Sequence, residues 1–167
     1  MPLTDTTVAD VFAGIAAAFG LSRPAGQCFS AIWRAAQAPC ADELVAGLGL
    51  ARSNVSTALK ELRGWNLIGV ARVPGDRKEY FTAPADPWEV LRRIALARQR
   101  LVVAPLLDRL IALEAATGDV RLAALHSAMA QIAQTGEAMA ALDGAGFAKR
   151  LAALADGGEP KKKKKKH

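Results

Sequence analysis

Apolar side chains recur along this chain at helical spacing, with one interruption. Val8, Phe12, Ile15 and Phe19 fall four, three and four residues apart, which marks one face of a first helix ending at Gly20. Pro24 starts a second helix, over roughly 25–37, with Phe29, Ile32 and Trp33 on its apolar face. Pro39 separates it from a short third helix over 41–48 that buries Leu44 and Leu48. After the turn Gly47-Leu48-Gly49-Leu50, a fourth helix over 52–64 holds Val55, Leu59 and Leu62 inward. The period then shortens. Residues 67–73 are rich in β-branched side chains, and 78–82 hold Tyr80, Phe81 and Thr82. Between them lies Pro74-Gly75-Asp76-Arg77, with proline second and glycine third, as a type II turn requires. The segment predicts a two-stranded hairpin.

Helical spacing then returns. Asp86 is placed to cap, Pro87 fits the first helical position and Glu89 falls where a capping-box acid belongs. Val90, Ile94, Ala97 and Leu101 share the next helical face, which Pro105 is expected to kink or break. Leu106, Leu110 and Leu113 carry on to Thr117-Gly118. Leu122, Leu125, Met129, Ile132, Gly136 and Met139 form a heptad-like seam, and a last helix after Gly146 carries Phe147, Leu151 and Leu154. Helices this amphipathic need partners, which favours a core shared between subunits over one within the chain. The expected divisions are an N-terminal dimerisation helix over 1–22, a DNA-binding-sized unit over 23–84, a C-terminal helical dimerisation region over 85–156, and a disordered basic tail over 157–167.

Composition agrees with this mainly α picture and narrows the chemistry. Thirty-six of the 167 residues are alanine and 5% are aromatic, which favours helices over a β-sandwich. The net charge of +6 comes from Lys161–Lys166, because the rest of the chain has as many basic as acidic residues. The useful charge is local: residues 50–100 hold ten basic against five acidic side chains, and residues 1–49 and 101–160 are each net acidic. Such segregation is the footprint of a phosphate-binding face. No apolar run of membrane-spanning length and no signal-peptide pattern occurs, so a cytoplasmic, nucleoid-associated protein with no membrane partner is expected. Two cysteines and two histidines exclude a clustered zinc site, and no phosphate loop or nucleophile elbow is present. No metal, no cofactor and no enzymatic activity are expected.

Short helix, glycine-containing turn, second helix and hairpin make a winged helix-turn-helix. With Val55, Leu59 and Leu62 inward, the fourth helix presents Ser53, Thr57 and Lys60, flanked by Asn54 and Ser56 and opened by Arg52. Short hydrogen-bonding side chains at a helix N-terminus suit base edges in the major groove, whereas Lys60 and Arg63 suit phosphates. Arg72, Arg77 and Lys78 charge the hairpin, with Arg77 placed to enter a minor groove.

These motifs carry a family resemblance. Leu50-Ala51-Arg52-Ser53-Asn54-Val55-Ser56 with Leu59 and Leu62 resembles the recognition helix of MarR-type regulators. Trp65-Asn66-Leu67-Ile68, Val73 to Phe81 and Asp86-Pro87-Trp88 resemble the GbsR branch more closely. The resemblance spans roughly residues 10–115. It implies a homodimeric winged-helix transcription factor on a near-palindromic double-stranded DNA operator, most simply a repressor relieved by a small-molecule effector. Characterised members of the branch respond to choline or glycine betaine.

The chain departs from the family pattern at two helix caps, where Cys40 and Ala51 stand in place of Ser or Thr. Each lost polar cap costs about 1 kcal/mol. A thiol at a helix N-terminus gains reactivity, so Cys40 also opens a redox-sensing alternative beside that of an inert small residue. A quaternary-ammonium effector calls for an aromatic cage, for which Trp33, Tyr80, Trp88 and Phe81 are the candidates, although each also fits a core. Trp65 is expected under the wing, and His126 is expected as a satisfied structural histidine. A winged helix that serves only as a protein-interaction adaptor is the remaining alternative.

Overall fold

The computed structural model describes residues 7–156; the predicted basic tail and the first six residues lie outside them. The chain begins with α1 (Val8–Ala18), capped by Thr7, and α2 (Arg23–Arg34), capped by Ser22. These two helices pack closely because Gly26 has no side chain: a methyl there would run into the Phe12 carbonyl of α1. α2 starts two residues before the expected position and stops three short of it, where Ala35 turns extended. α3 (Ala41–Leu48) and α4 (Arg52–Gly64) follow as expected.

β1 (Gly69–Arg72) and β2 (Glu79–Thr82) pair antiparallel, Gly69 opposite Thr82 and Arg72 opposite Glu79. The turn joining them is the expected type. The Asp76 N–H donates to the Val73 carbonyl at 3.0 Å, and Gly75 takes the positive φ of 83° that the third position of a type II turn demands. On its other side β2 bridges the chain entering α3, Cys40 opposite Tyr80, with the Phe81 N–H on the Pro39 carbonyl at 2.9 Å. The hairpin is thus fixed to the helix-turn-helix and makes it a winged helix-turn-helix. Leu62, Leu67, Val55 and Cys28 are its largest wholly enclosed side chains, and enclosure pushes the Cys28 thiol up to about 11. Trp65 is also buried, but its ring reaches the Gly20 turn between α1 and α2.

α5 (Pro87–Arg98) lays Val90, Ile94 and Ala97 into this same core. Asp86 caps it through the Trp88 N–H at 3.0 Å, as expected. Glu89 does not complete a capping box. Its carboxylate is instead gripped by Arg92, at 2.7 and 2.9 Å, and by Arg93, at 2.7 Å. The kink or break expected at Pro105 takes the form of an interruption just upstream of it. A π-turn, η1 (Gln99–Val103), joins α5 directly to α6 (Ala104–Thr117). The wider turn displaces the upstream carbonyls that a proline ring would otherwise strike.

α7 (Val120–Ala140) returns along α6, and α8 (Gly144–Ala155) packs on α5. α8 begins before Gly146 because Asp143 caps it through the Gly146 N–H at 2.7 Å. The heptad-like seam of α7 divides. Its intrachain contacts run through small residues, with Ala133 and Ala140 buried, while Leu125 and Ile132 face outward. α6 buries no residue fully, and Val8, Val11, Ile15 and Phe19 of α1 are likewise exposed.

Arg92 dominates the pair of arginines that holds the Glu89 carboxyl down to about 2. A depressed folded-state pKa gives stability that is present above the ordinary carboxylate range and is lost as the pH falls through it. Glu89→Gln is therefore expected to lose about 1–3 kcal/mol at pH 7. The difference from the parent should shrink as the pH drops from about 4.5 towards 2, as urea unfolding at pH 7 and near pH 2.5 would measure.

Candidate nucleic-acid interface

The outer face of α4 is polar because its apolar residues all turn inward. Val55, Ala58, Leu59 and Leu62 are buried, while Arg52, Ser53, Asn54, Ser56, Thr57, Lys60 and Arg63 are exposed. Ala51 offers no side chain to cap α4, so the first-turn N–H groups of that helix face outward without a side-chain acceptor. Such a helix end attracts phosphate. Across the wing, Arg72, Arg77 and Lys78 are exposed as well.

Two carboxylates that the sequence did not single out organise these cations. Asp42, on α3, lies 2.8 Å from Arg52 and 4.0 Å from Lys78. Glu79, on β2, lies 3.1 Å from Arg72 and 3.6 Å from Arg63. Each acid therefore links a cation of α4 to a cation of the wing, across a groove of about 390 Å³. All four pairs are solvent-exposed, and each is worth at most about 1 kcal/mol. Lys60 and Arg77 form no ion pair among the described residues.

Asp76 stiffens the wing tip. Its carboxylate accepts the Lys78 N–H at 2.9 Å and the Tyr80 hydroxyl at 2.7 Å, and these bonds hold its pKa low. The same hydroxyl bond pushes Tyr80 up to about 12. Sequence offered one signal for this bond: Asp76 and Tyr80 are four apart across a tight turn.

The remaining arginines of the positive segment lie elsewhere. Arg92 donates to the Ala140 carbonyl at 2.7 Å, Arg93 to Asn66 at 3.0 Å, Arg98 to Phe19 at 2.9 Å and Arg100 to Gly64 at 3.2 Å. They tie α5 and η1 to the ends of α7, α4 and α1. The other six cations of the segment lie on α4 and the wing, while Arg98 and Arg100, though exposed, each hold a carbonyl.

The aromatic candidates are not brought together. Trp33 stacks near Phe12, donates its indole N–H to the Pro84 carbonyl at 2.8 Å and lines an apolar cavity of about 210 Å³ between α1, α2 and α5. Neither Tyr80 nor Trp88 lines that cavity; Trp88 is exposed at the start of α5, and Phe81 is buried under the wing. Cys40 is 3% exposed, and its backbone N–H donates to the Glu43 carboxylate at 2.7 Å. His126 sits on the Glu114 carboxylate at 2.8 Å. Among the described residues no three His, Cys, Asp or Glu side chains converge to hold a metal, and no helix is long and apolar enough to cross a membrane.

No protein-family model matches this chain, and no curated protein matches it. In fold it is similar to a solved crystal structure of a transcriptional regulator, with a TM-score of 0.66 and 21% sequence identity. The match covers 79% of this chain and 92% of that one. It shows that the winged helix-turn-helix with flanking helices is a fold shared with that regulator.

Asp42 places a negative charge on the face that would meet phosphates, so it sets Arg52 and Lys78 against it. Asp42→Asn is expected to tighten binding to a short DNA duplex by roughly two- to fivefold at low salt, consistent with an exposed pair. Fluorescence anisotropy against salt concentration measures this.

Proposed function

We propose that the protein is a sequence-specific DNA-binding transcriptional regulator, a homodimer acting on a near-palindromic operator as a repressor that a small molecule releases. The observation that carries this reading is the exposed Arg52-to-Arg63 face of α4 beside a wing bearing Arg72, Arg77 and Lys78. Ser53, Asn54, Ser56 and Thr57 read base edges, and Lys60 and Arg63 sit on phosphates. Arg77 follows the wing tip directly, where a minor groove would receive it. The shared fold with a transcriptional regulator supports the reading, and so does the MarR- and GbsR-like sequence pattern.

Dimerisation is supported by apolar side chains that the single chain leaves in water. Leu106, Ile111 and Leu113 of α6, Leu125 and Ile132 of α7, and the exposed α1 stripe are available to a second copy. A two-fold axis through these helices would present two recognition helices to successive major grooves. Such a protein works in the cytoplasm, on the nucleoid. Of the aromatic candidates for an effector site, Trp33 lines the apolar cavity between α1, α2 and α5, whereas Tyr80 and Trp88 do not.

Footprinting on the DNA upstream of the protein's own gene tests the reading, and an unprotected region would count against it. Arg77→Ala is expected to weaken operator binding and to reduce its salt slope by about one. Asn54→Ala is expected to relax sequence preference at one base pair, worth about 1–3 kcal/mol of discrimination. Sedimentation at micromolar concentration should give twice the mass of the chain; a monomer would remove the dimer.

A further inference from the structure

The π-turn η1 faces a groove for which DNA recognition has no use. This groove, of about 250 Å³, lies between η1, α6 and α7, and Gln99, Asp108, His126, Gln134 and Glu137 stand on its walls. Ala104, Ala130 and Ala133 leave it open, since longer side chains at those positions would fill it. Gln99 is the buried polar residue of this region, 9% exposed, and its amide makes no hydrogen bond to any described residue. Every side-chain nitrogen or oxygen sealed from solvent has a partner, so the residual exposure of Gln99 lies at its amide, open to the groove. The amide is thus free to bond whatever enters the groove, and π-turns recur at functional sites.

The electrostatics decide what that ligand is. Asp108 and Glu137 form no ion pair among the described residues, while His126 is occupied by Glu114 at 2.8 Å. Two uncompensated carboxylates and an amide oxygen accept hydrogen bonds from a cation. No Phe, Tyr or Trp ring lines the groove, so a quaternary ammonium finds no cage there and has no N–H to offer the acceptors. No metal-holding cluster of three ligands is present among the described residues. We propose that the groove between η1, α6 and α7 binds a small organic cation with N–H donors, a primary amine or guanidine, held by Asp108, Glu137 and the Gln99 amide.

The site is placed to act at a distance. Arg98 and Arg100, on either side of Gln99, donate to the carbonyls of Phe19 beyond α1 and Gly64 at the end of α4. A ligand that draws on Gln99 thereby bears on the segment that seats the recognition helix. This coupling rests on the regulator reading; the binding site does not.

Calorimetry of the full chain with agmatine and putrescine, and with choline as control, tests the site. Agmatine is expected to bind saturably, choline roughly tenfold more weakly or not at all, and Asp108→Asn with Glu137→Gln to weaken agmatine roughly tenfold. Both carboxylates are exposed, so the double variant keeps its fold, which a thermal melt verifies; Gln99→Leu is expected to weaken agmatine as well. No saturable heat from either amine, choline binding as tightly as agmatine, or an unchanged affinity in the double variant would overturn the site. Agmatine should also change DNA affinity in the parent and not in the double variant. Agmatine binding with DNA affinity unmoved would overturn the coupling, whereas a parent that binds no DNA would overturn the regulator reading and leave the site standing.

Discussion

A helix ends with carbonyls that its own turns cannot use, and in this protein one continuous helical segment supplies donors for several such ends. From α5 and η1, Arg92 reaches the end of α7, Arg93 and Arg100 reach the end of α4, and Arg98 reaches the residue after α1. Each is a charged donor meeting the negative end of a helix dipole, which strengthens the bond beyond a neutral pair. Val90, Ile94 and Ala97 bury the opposite side of α5 in the winged-helix core. α4 is consequently seated by the same segment that carries the C-terminal helices.

This arrangement explains why the charge of the middle third was legible in amount but not in place. Ten cations in fifty residues is a strong signal, yet Arg92, Arg93, Arg98 and Arg100 serve carbonyls that become neighbours only in the fold. The hydrophobic period located α3, α4 and the hairpin closely because each is short, buried on one side and bounded by Gly or Pro. Pro105 marked an interruption of the α-helix but not its form, because whether the preceding turn widens or the helix ends is a property of the whole helix. Seam residues such as Leu125 and Ile132 were legible as apolar, but alanines turned out to make the intrachain contact.

The candidate interface was legible on its positive side alone. Asp42 and Glu79 are separated from their partners by seven to thirty-six positions, so no local pattern pairs them. Their effect is geometric as much as electrostatic, since each holds the wing at a set distance from α4. A surface whose cations are already engaged by its own acids binds a polyanion only where enough phosphates arrive in the right positions to displace them. On the DNA-binding reading proposed above, that favours a duplex of matched shape over charge in general.

The π-turn at Gln99–Val103 has a consequence for how this chain tolerates changes in length. A loop absorbs the gain or loss of a residue, but a helix converts it into rotation. The five residues of the wide turn sweep about as much rotation as four α-helical ones, so removing one here would restore regular winding and leave everything downstream in nearly the same phase. Leu106, Ile111 and Leu113 would keep their directions relative to the winged helix. A residue gained or lost in the regular turns of α5 or α6 has no such buffer and would turn the two halves of the molecule against each other by about 100°, so drift in chain length is absorbed at this one stretch and felt as a change of assembly on either side of it.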